Sequence, residues 1–290
     1  MAFALREAPS VVNIHEPGPF EGRPEQWPVL VASGALEVRL AETEGEVEAA
    51  QRLRYRVFYE EMSALPSPAM RDARRDFDRF DEVCDHLLVV DRSQIEDDGQ
   101  PAVVATYRLM RDVDAVRVGG FYTSSEYDIS PMLAGVPQGT RLLELGRSCV
   151  LKAYRSKPAT MQLLWRGLMV YLKRFSIDVM FGCASLSGTD PQVLALPLSF
   201  LYHFHRASAD VRVRALPALY VDMNLMPIEA IDPKEALRTL PPLLKGYVRA
   251  GAVIGDGAVI DQQFGTTDVF IYFPVSKMDE RYRSRFGIKT

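Results

Sequence analysis

The sequence predicts an α/β or α+β sheet protein, and three observations predict it. Runs with period-two alternation take turns along the chain with runs of helical spacing. Two apolar runs, residues 86–91 and 102–110, flank the turn Asp97-Asp98-Gly99-Gln100, which reads as a hairpin. Residues 144–150 (ELGRSCV) read as a strand that runs into the basic turn Lys152-Ala153-Tyr154-Arg155-Ser156-Lys157-Pro158 and then a long helix. Regular alternation would put Leu143, Leu145, Arg147 and Cys149 on one face, and Glu144, Gly146, Ser148 and Val150 on the other.

From the N-terminus, residues 1–34 carry five prolines and three glycines and read as an irregular arm. Residues 36–40 alternate as a first strand. Residues 44–59 place Val47, Gln51, Arg54, Tyr55 and Phe58 at helical spacing, and 62–75 read as a loop around Pro66 and Pro68. The hairpin follows, then a loop-rich stretch over 111–140. After the central strand, a helix is expected from about Ala159 to Phe175, with Leu163, Leu164, Leu168, Tyr171 and Leu172 on its apolar side. Residues 179–184 form a short strand and 192–206 a helix interrupted by Pro197. Weak strands are expected at 211–213 and 219–223, turns over 251–257, and a last strand at 268–273. The expected division is an arm over 1–34, a core over 35–225 and a C-terminal extension over 226–290 packed on it.

With 48% apolar and 25% charged residues the composition is that of a soluble globular protein. A formal charge of −4 argues against nucleic acid as a partner. Cys84, Cys149 and Cys183 form no C-x-x-C pair, and four histidines with no partner cluster predict no metal site. No apolar run is long enough to span a bilayer, so a cytoplasmic protein is expected. The charge is unevenly spread: residues 145–177 hold no Asp or Glu but contain Arg147, Lys152, Arg155, Lys157, Arg166, Lys173 and Arg174. Such a stretch is either a solvated face or a dock for an anionic partner.

Four constellations carry the chemistry: Arg54 and Phe58 on the first helix, Asp78-x-x-Asp81 ahead of a strand, Arg108 followed by Leu109, and Glu144-x-x-Arg147. A carboxylate can accept a proton from an amine. Arginine forks match carboxylate oxygens, and a basic turn leading to a helix N-terminus suits phosphate. Glu144 is the candidate base, with Asp78 and Asp81 as rivals. A buried small hydrophobe is the plainer role for Cys149, and Ser148 lacks a nucleophile elbow.

In this order the constellations resemble the acyl-homoserine-lactone synthase branch of the GNAT-like N-acyltransferases. One position departs: those synthases carry Trp six residues past the Phe, where this chain has Ala64. The strings Asp85-His86-Leu87, Gly120-Phe121-Tyr122, ELGRSCV, Phe181-Gly182-Cys183-Ala184-Ser185 and Asp256-Gly257-Ala258-Val259-Ile260-Asp261 are similar to the L-ornithine Nα-acyltransferases, from about residue 36 onward. The resemblance implies a GNAT-like fold with a mixed central sheet flanked by helices. It also implies transfer of a 3-hydroxyacyl group from acyl carrier protein to the α-amine of L-ornithine, giving a lyso-ornithine lipid.

On that basis Arg54, Phe58, Arg108, Arg147, Ser148 and Cys149 are expected to contact substrate. Lys152, Arg155, Lys157 and Arg166 are expected to face the acidic carrier protein and its phosphopantetheine, with no tightly bound cofactor. Residues 155–160 keep the Arg but lack both glycines of the usual acetyl-CoA pyrophosphate turn, which suits a single phosphate. Contact with the inner membrane, through the segment 241–251, is a further expectation. The alternatives are a lactone synthase using S-adenosylmethionine and a non-enzymatic membrane-active protein.

Overall fold

The computed structural model describes residues 29–280 and 282. Residues 1–28 of the expected arm lie outside the described residues. The rest of it is not irregular: β1 (Val31–Ser33) pairs with β2 (Leu36–Leu40) across a turn in which Gly34 has φ 62°. Helix α1 (Glu44–Tyr55) starts at Thr43, whose hydroxyl accepts the Glu46 amide at 3.3 Å. It continues as a π-helical turn, Arg56–Glu61, so the predicted helix runs two residues further. The loop expected next contains α2 (Pro68–Ala73), capped by Ser67 and stopped by Arg74 at φ 49°.

Strands β3 (Asp85–Ile95) and β4 (Pro101–Arg111) form the predicted hairpin, longer at both ends. The loop-rich stretch holds three short elements, α3 (Asp112–Ala115), β5 (Tyr127–Asp128) and α4 (Ser130–Gly135). Then come β6 (Leu142–Val150), α5 (Lys152–Arg155), α6 (Pro158–Phe175) and β7 (Val179–Ser187). Helix α7 (Ala195–Phe204) is not interrupted by Pro197, which sits in its first turn, where no amide partner is needed. The weak strand expected at 211–213 does not form, and the two-residue β8 (Arg214–Ala215) lies just beyond it; of 219–223 only a bridge between Val221 and Ala258 forms.

The last part holds α8 (Pro233–Thr239), α9 (Pro242–Ala250), β9 (Val253–Asp261) and β10 (Thr266–Pro274). Residues 253–257, expected as turns, are strand. Both final strands join the same sheet, in the order β1-β2-β3-β4-β6-β7-β10-β9-β8-β5. The β6–β7 and β8–β9 pairs are parallel and the others antiparallel, so the sheet is mixed.

The main core lies between one sheet face and α6, α7 and α9. Leu163, Leu164, Leu168, Tyr171 and Leu172 are all buried there, as their spacing predicts, each contributing about 1.5–3 kcal/mol. Gly167 lets α6 approach β2: a Cβ there would stand 2.3 Å from Val38 Cγ1. Helix α9 turns its apolar side, Leu244, Tyr247 and Val248, into the same core. The other face carries α1 and the segment 76–84. Among the described residues no helix is long and apolar enough to cross a membrane.

Candidate active site

The site forms where the sheet opens. The β6–β7 ladder runs only from Leu142↔Val179 to Glu144↔Phe181, and beyond it the strands part. Gly182, with φ 150°, sits against this opening; a Cβ on it would lie 2.3 Å from the Leu145 carbonyl oxygen. On its other side β6 pairs with β4, but the register slips between Thr106 and Arg108, and Arg147 takes φ 53°. This bulge corrects the expected alternation. Leu143, Leu145 and Val150 face the α6 core, whereas Cys149 packs with Leu53 and Val57 of the α1 side. Arg147 pairs with the aspartates on that same α1 side.

A cavity of about 460 Å³ passes through the opening. One lobe is lined by Leu145, Ser148, Met161, Ala184, Leu243 and Tyr107, and the other by Glu144, Tyr122, Arg147, Phe264, Asp261 and Asp268.

Beside the second lobe three arginines and three aspartates close a buried network. Arg54 donates to Asp76 Oδ2 and Asp81 Oδ2, each at 2.7 Å, and to the Asp76 carbonyl at 2.6 Å. Arg108 donates to Asp78 at 2.7 Å and to Asp81 at 3.2 Å. Arg147 is held more loosely, 3.4 Å from both Asp76 and Asp78. Burial acts to raise the Asp81 carboxyl, but Arg54 and Arg108 outweigh it and hold the group far below the usual range. Asp76 is also lowered, by Arg54 and Arg147 against burial.

Glu144 differs. Its oxygens accept the Thr123 amide at 2.7 Å and the Tyr122 amide at 3.0 Å. Burial raises its proton affinity, only partly countered by the Thr123 hydroxyl, those amides and Arg108. A carboxylate has about four acceptor positions, so these three donors leave room for one more.

Tyr122 and Phe264 stand on the Arg147 guanidinium, 4.9 and 5.1 Å from it to their ring centroids. Phe264, on the β9–β10 turn, meets Phe58 edge-on at 5.4 Å. Ala64 packs in the same small cluster as Phe264, which supplies an aromatic group beside the position where the lactone synthases carry Trp. Cys149 is buried and its thiol is pushed up to about 12, so it stays protonated at neutral pH.

A third feature is an acidic corner. Carboxylate oxygens of Glu126, Asp261 and Asp268 lie within 4.8 Å of one another. Burial and then Asp268 push the Glu126 carboxyl up to about 7, and Asp268 is likewise raised by burial. All-oxygen ligands of this kind suit a hard cation or an ammonium group.

Along α5 and α6, Lys152, Arg155, Lys157 and Arg166 are all exposed. Arg155 lines the cavity mouth, donates to the Val150 carbonyl at 2.9 Å and pairs with Glu61. Lys157 lies 3.9 Å above the Tyr154 ring. As N-cap of α6 it supplies no side-chain acceptor to the first-turn amides. Arg166 sits two turns further along that helix.

Residues 53–166 match the acetyltransferase (GNAT) domain family. The chain is 53% identical over 259 residues to an L-ornithine N(alpha)-acyltransferase of Brucella abortus, covering 89% of this chain and 91% of that protein. It is 52% identical to the one of Rhizobium meliloti, covering 89% and 86%, and 41% identical to that of Rhodobacter capsulatus, covering 86% and 93%. The chain belongs to the L-ornithine Nα-acyltransferase family. It is an acyltransferase with the GNAT fold.

In this acyltransferase the structure brings Arg54, Phe58, Asp78, Asp81, Arg108, Glu144, Arg147, Ser148 and Cys149 to one region. Phe58, Arg108, Glu144, Arg147, Ser148 and Cys149 line the cavity itself, whereas Arg54 is wholly buried behind it. Sequence reasoning missed Asp76, Tyr122, Thr123, Glu126, Asp261, Phe264 and Asp268 as site residues. Asp261-Gln-Gln-Phe-Gly265 between two apolar runs is a hairpin signal that would have placed two of them.

Proposed function

We propose that this acyltransferase moves a 3-hydroxyacyl group from acyl carrier protein to the α-amine of L-ornithine, giving a lyso-ornithine lipid. The observation that carries the reading is one continuous cavity joining an apolar lobe to a buried carboxylate of raised proton affinity, through the opened strands. The names of the relatives supply the acceptor. An acylated phosphopantetheine arm enters past Arg155 at the start of α6, where the exposed Lys152, Arg155, Lys157 and Arg166 complement an acidic carrier.

Ornithine occupies the polar lobe. Arg147 meets its carboxylate, because its contacts at 3.4 Å leave more donor capacity than those of Arg54 or Arg108. Asp78 and Asp81, the rival bases, are already taken by arginines and are not free to meet the side-chain ammonium either. The acidic corner of Glu126, Asp261 and Asp268 supplies that counter-charge instead. Glu144 takes a proton from the α-ammonium, whose ordinary pKa is about 8. The neutral amine adds to the thioester carbonyl, and the C–S bond then breaks. The thiol departs with a proton as the amide forms.

The test is thiol release and mass spectrometry of product when 3-hydroxyacyl carrier protein and ornithine are mixed. Glu144→Gln should cut the rate by about 10²–10⁴-fold with the fold intact by circular dichroism. Full activity in that variant, or methylthioadenosine formed from S-adenosylmethionine in place of an acylated ornithine, would overturn the proposal.

A further inference from the structure

The apolar lobe contains two polar exceptions, Tyr107 and Ser148. Tyr107 of β4 lines the cavity, and its hydroxyl hydrogen-bonds Tyr247 of α9 on one side and the Ser148 side chain of β6 on the other. The surrounding lining is Leu145, Met161, Ala184 and Leu243. Hydroxyls in such a setting carry a cost unless they are partnered, and an apolar lobe built only for a plain hydrocarbon chain would not need them. The rings are also fixed. Tyr247 is held edge-on by Trp165 at 5.4 Å and by Phe273 at 6.3 Å, and burial pushes the Tyr107 hydroxyl up to about 12, keeping it a neutral donor and acceptor.

Ser148 also follows the Arg147 bulge, in the part of β6 beyond its last pair with β7 at Glu144, so the row of hydroxyls lies along the opening through which the thioester must pass. A chain threaded there presents its first few carbons to Ser148 and Tyr107 before it reaches Met161 and Leu243.

We propose that Ser148, Tyr107 and Tyr247 form the donor-selectivity element of this enzyme, accepting and donating hydrogen bonds to a hydroxyl on the acyl chain close to the thioester carbonyl. This rests on the acyl-transfer function proposed above and adds the residues that would tell a hydroxylated donor from a plain one. Beyond their mutual bond Ser148 and Tyr107 keep hydrogen-bonding capacity that a chain hydroxyl can use and an unsubstituted chain cannot, and this extra bond is the source of the discrimination. Tyr247 acts through Tyr107 and is a positioning residue.

The experiment measures kcat/KM for carrier protein loaded with a 3-hydroxyacyl chain and with the unsubstituted chain of equal length, in wild type, Tyr107→Phe and Tyr247→Phe. Wild type should prefer the hydroxylated donor. Tyr107→Phe should contract that preference about tenfold, and Tyr247→Phe about threefold. Should Tyr107→Phe fail to fold, the Tyr247→Phe ratio decides. A wild type without preference, or variants that slow both donors equally, would overturn the proposal and leave the hydroxyls as a tie between α9 and the sheet. Failure of wild type to acylate ornithine from either donor would sink the function it rests on, and the proposal with it.

Discussion

Two buried clusters of carboxylates lie on the same side of the opened sheet and behave in opposite ways. Asp76 and Asp81, inside the arginine network, are shifted toward the charged form, while Glu126 and Asp268, in the acidic corner, are shifted toward the neutral one. Burial acts upward on all four. What differs is the partner: guanidinium groups at 2.7 Å in the first case, other carboxylates in the second. The network balances three arginines against three aspartates, whereas the corner gathers carboxylates with no cation among them. On the proposed function, Arg54 and Arg108 with their aspartates hold the site together, while the loosely held Arg147 and the corner meet substrate.

Breaking the network should give the largest effect. Arg54→Ala removes the guanidinium that pairs Asp76 and Asp81 and leaves both carboxylates buried without it. A loss of about 3–5 kcal/mol in unfolding free energy is expected, read by urea denaturation. A loss below about 1 kcal/mol would mean that water already reaches these groups and that the two clusters differ less than their geometry implies.

The corner is tested on the acceptor. Asp268→Asn keeps the Thr266 hydroxyl partner at 2.9 Å but removes one charge. It should raise KM for ornithine by about tenfold, while leaving the KM for the acyl donor nearly unmoved. An equal rise for both substrates would show that Asp268 shapes the cavity rather than holding the ammonium.

How much of this was legible in the sequence follows from the same contrast. The network residues lie in short motifs, so Arg54, Asp78, Asp81, Arg108 and Arg147 could be singled out along with Glu144. Their connections could not: the Arg147 bulge reverses the strand parity beyond it, and period-two alternation carries no sign of an inserted residue. The corner was invisible because Glu126, in the loop before β5, lies more than 130 residues ahead of Asp261 at the end of β9 and Asp268 in β10. Only the sheet order, which ends β10-β9-β8-β5, brings them together. The helices were clearer, since α6 and α9 announce their buried faces by spacing alone. Strand β9 was missed because its glycines read as turn residues, yet Gly255 and Gly257 lie where a Cβ would strike the Val213 carbonyl and the Tyr220 ring.

A pH dependence separates the clusters by sign. Glu126 has a folded pKa of about 7, above its ordinary value of 4.5. Between those values the folded state holds a proton that the unfolded chain has released, so stability falls as pH rises through this window and is level above it. Glu126→Gln removes the fall, and the variant should gain up to about 3 kcal/mol on wild type between pH 4.5 and pH 8, followed by thermal unfolding at each pH. Asp76 and Asp81 work the other way: their stabilisation is present above their unfolded values and is lost only as pH drops through their lowered folded ones, outside this window. Ornithine adds a second reading of the same group. An ammonium in the corner favours the charged Glu126, so wild-type affinity for ornithine should rise from pH 6 to pH 8 while that of Glu126→Gln stays level, provided the assay corrects for ionisation of ornithine itself. A wild type and variant with parallel pH profiles would place the ammonium elsewhere, and the acidic corner would then have to be explained without the substrate.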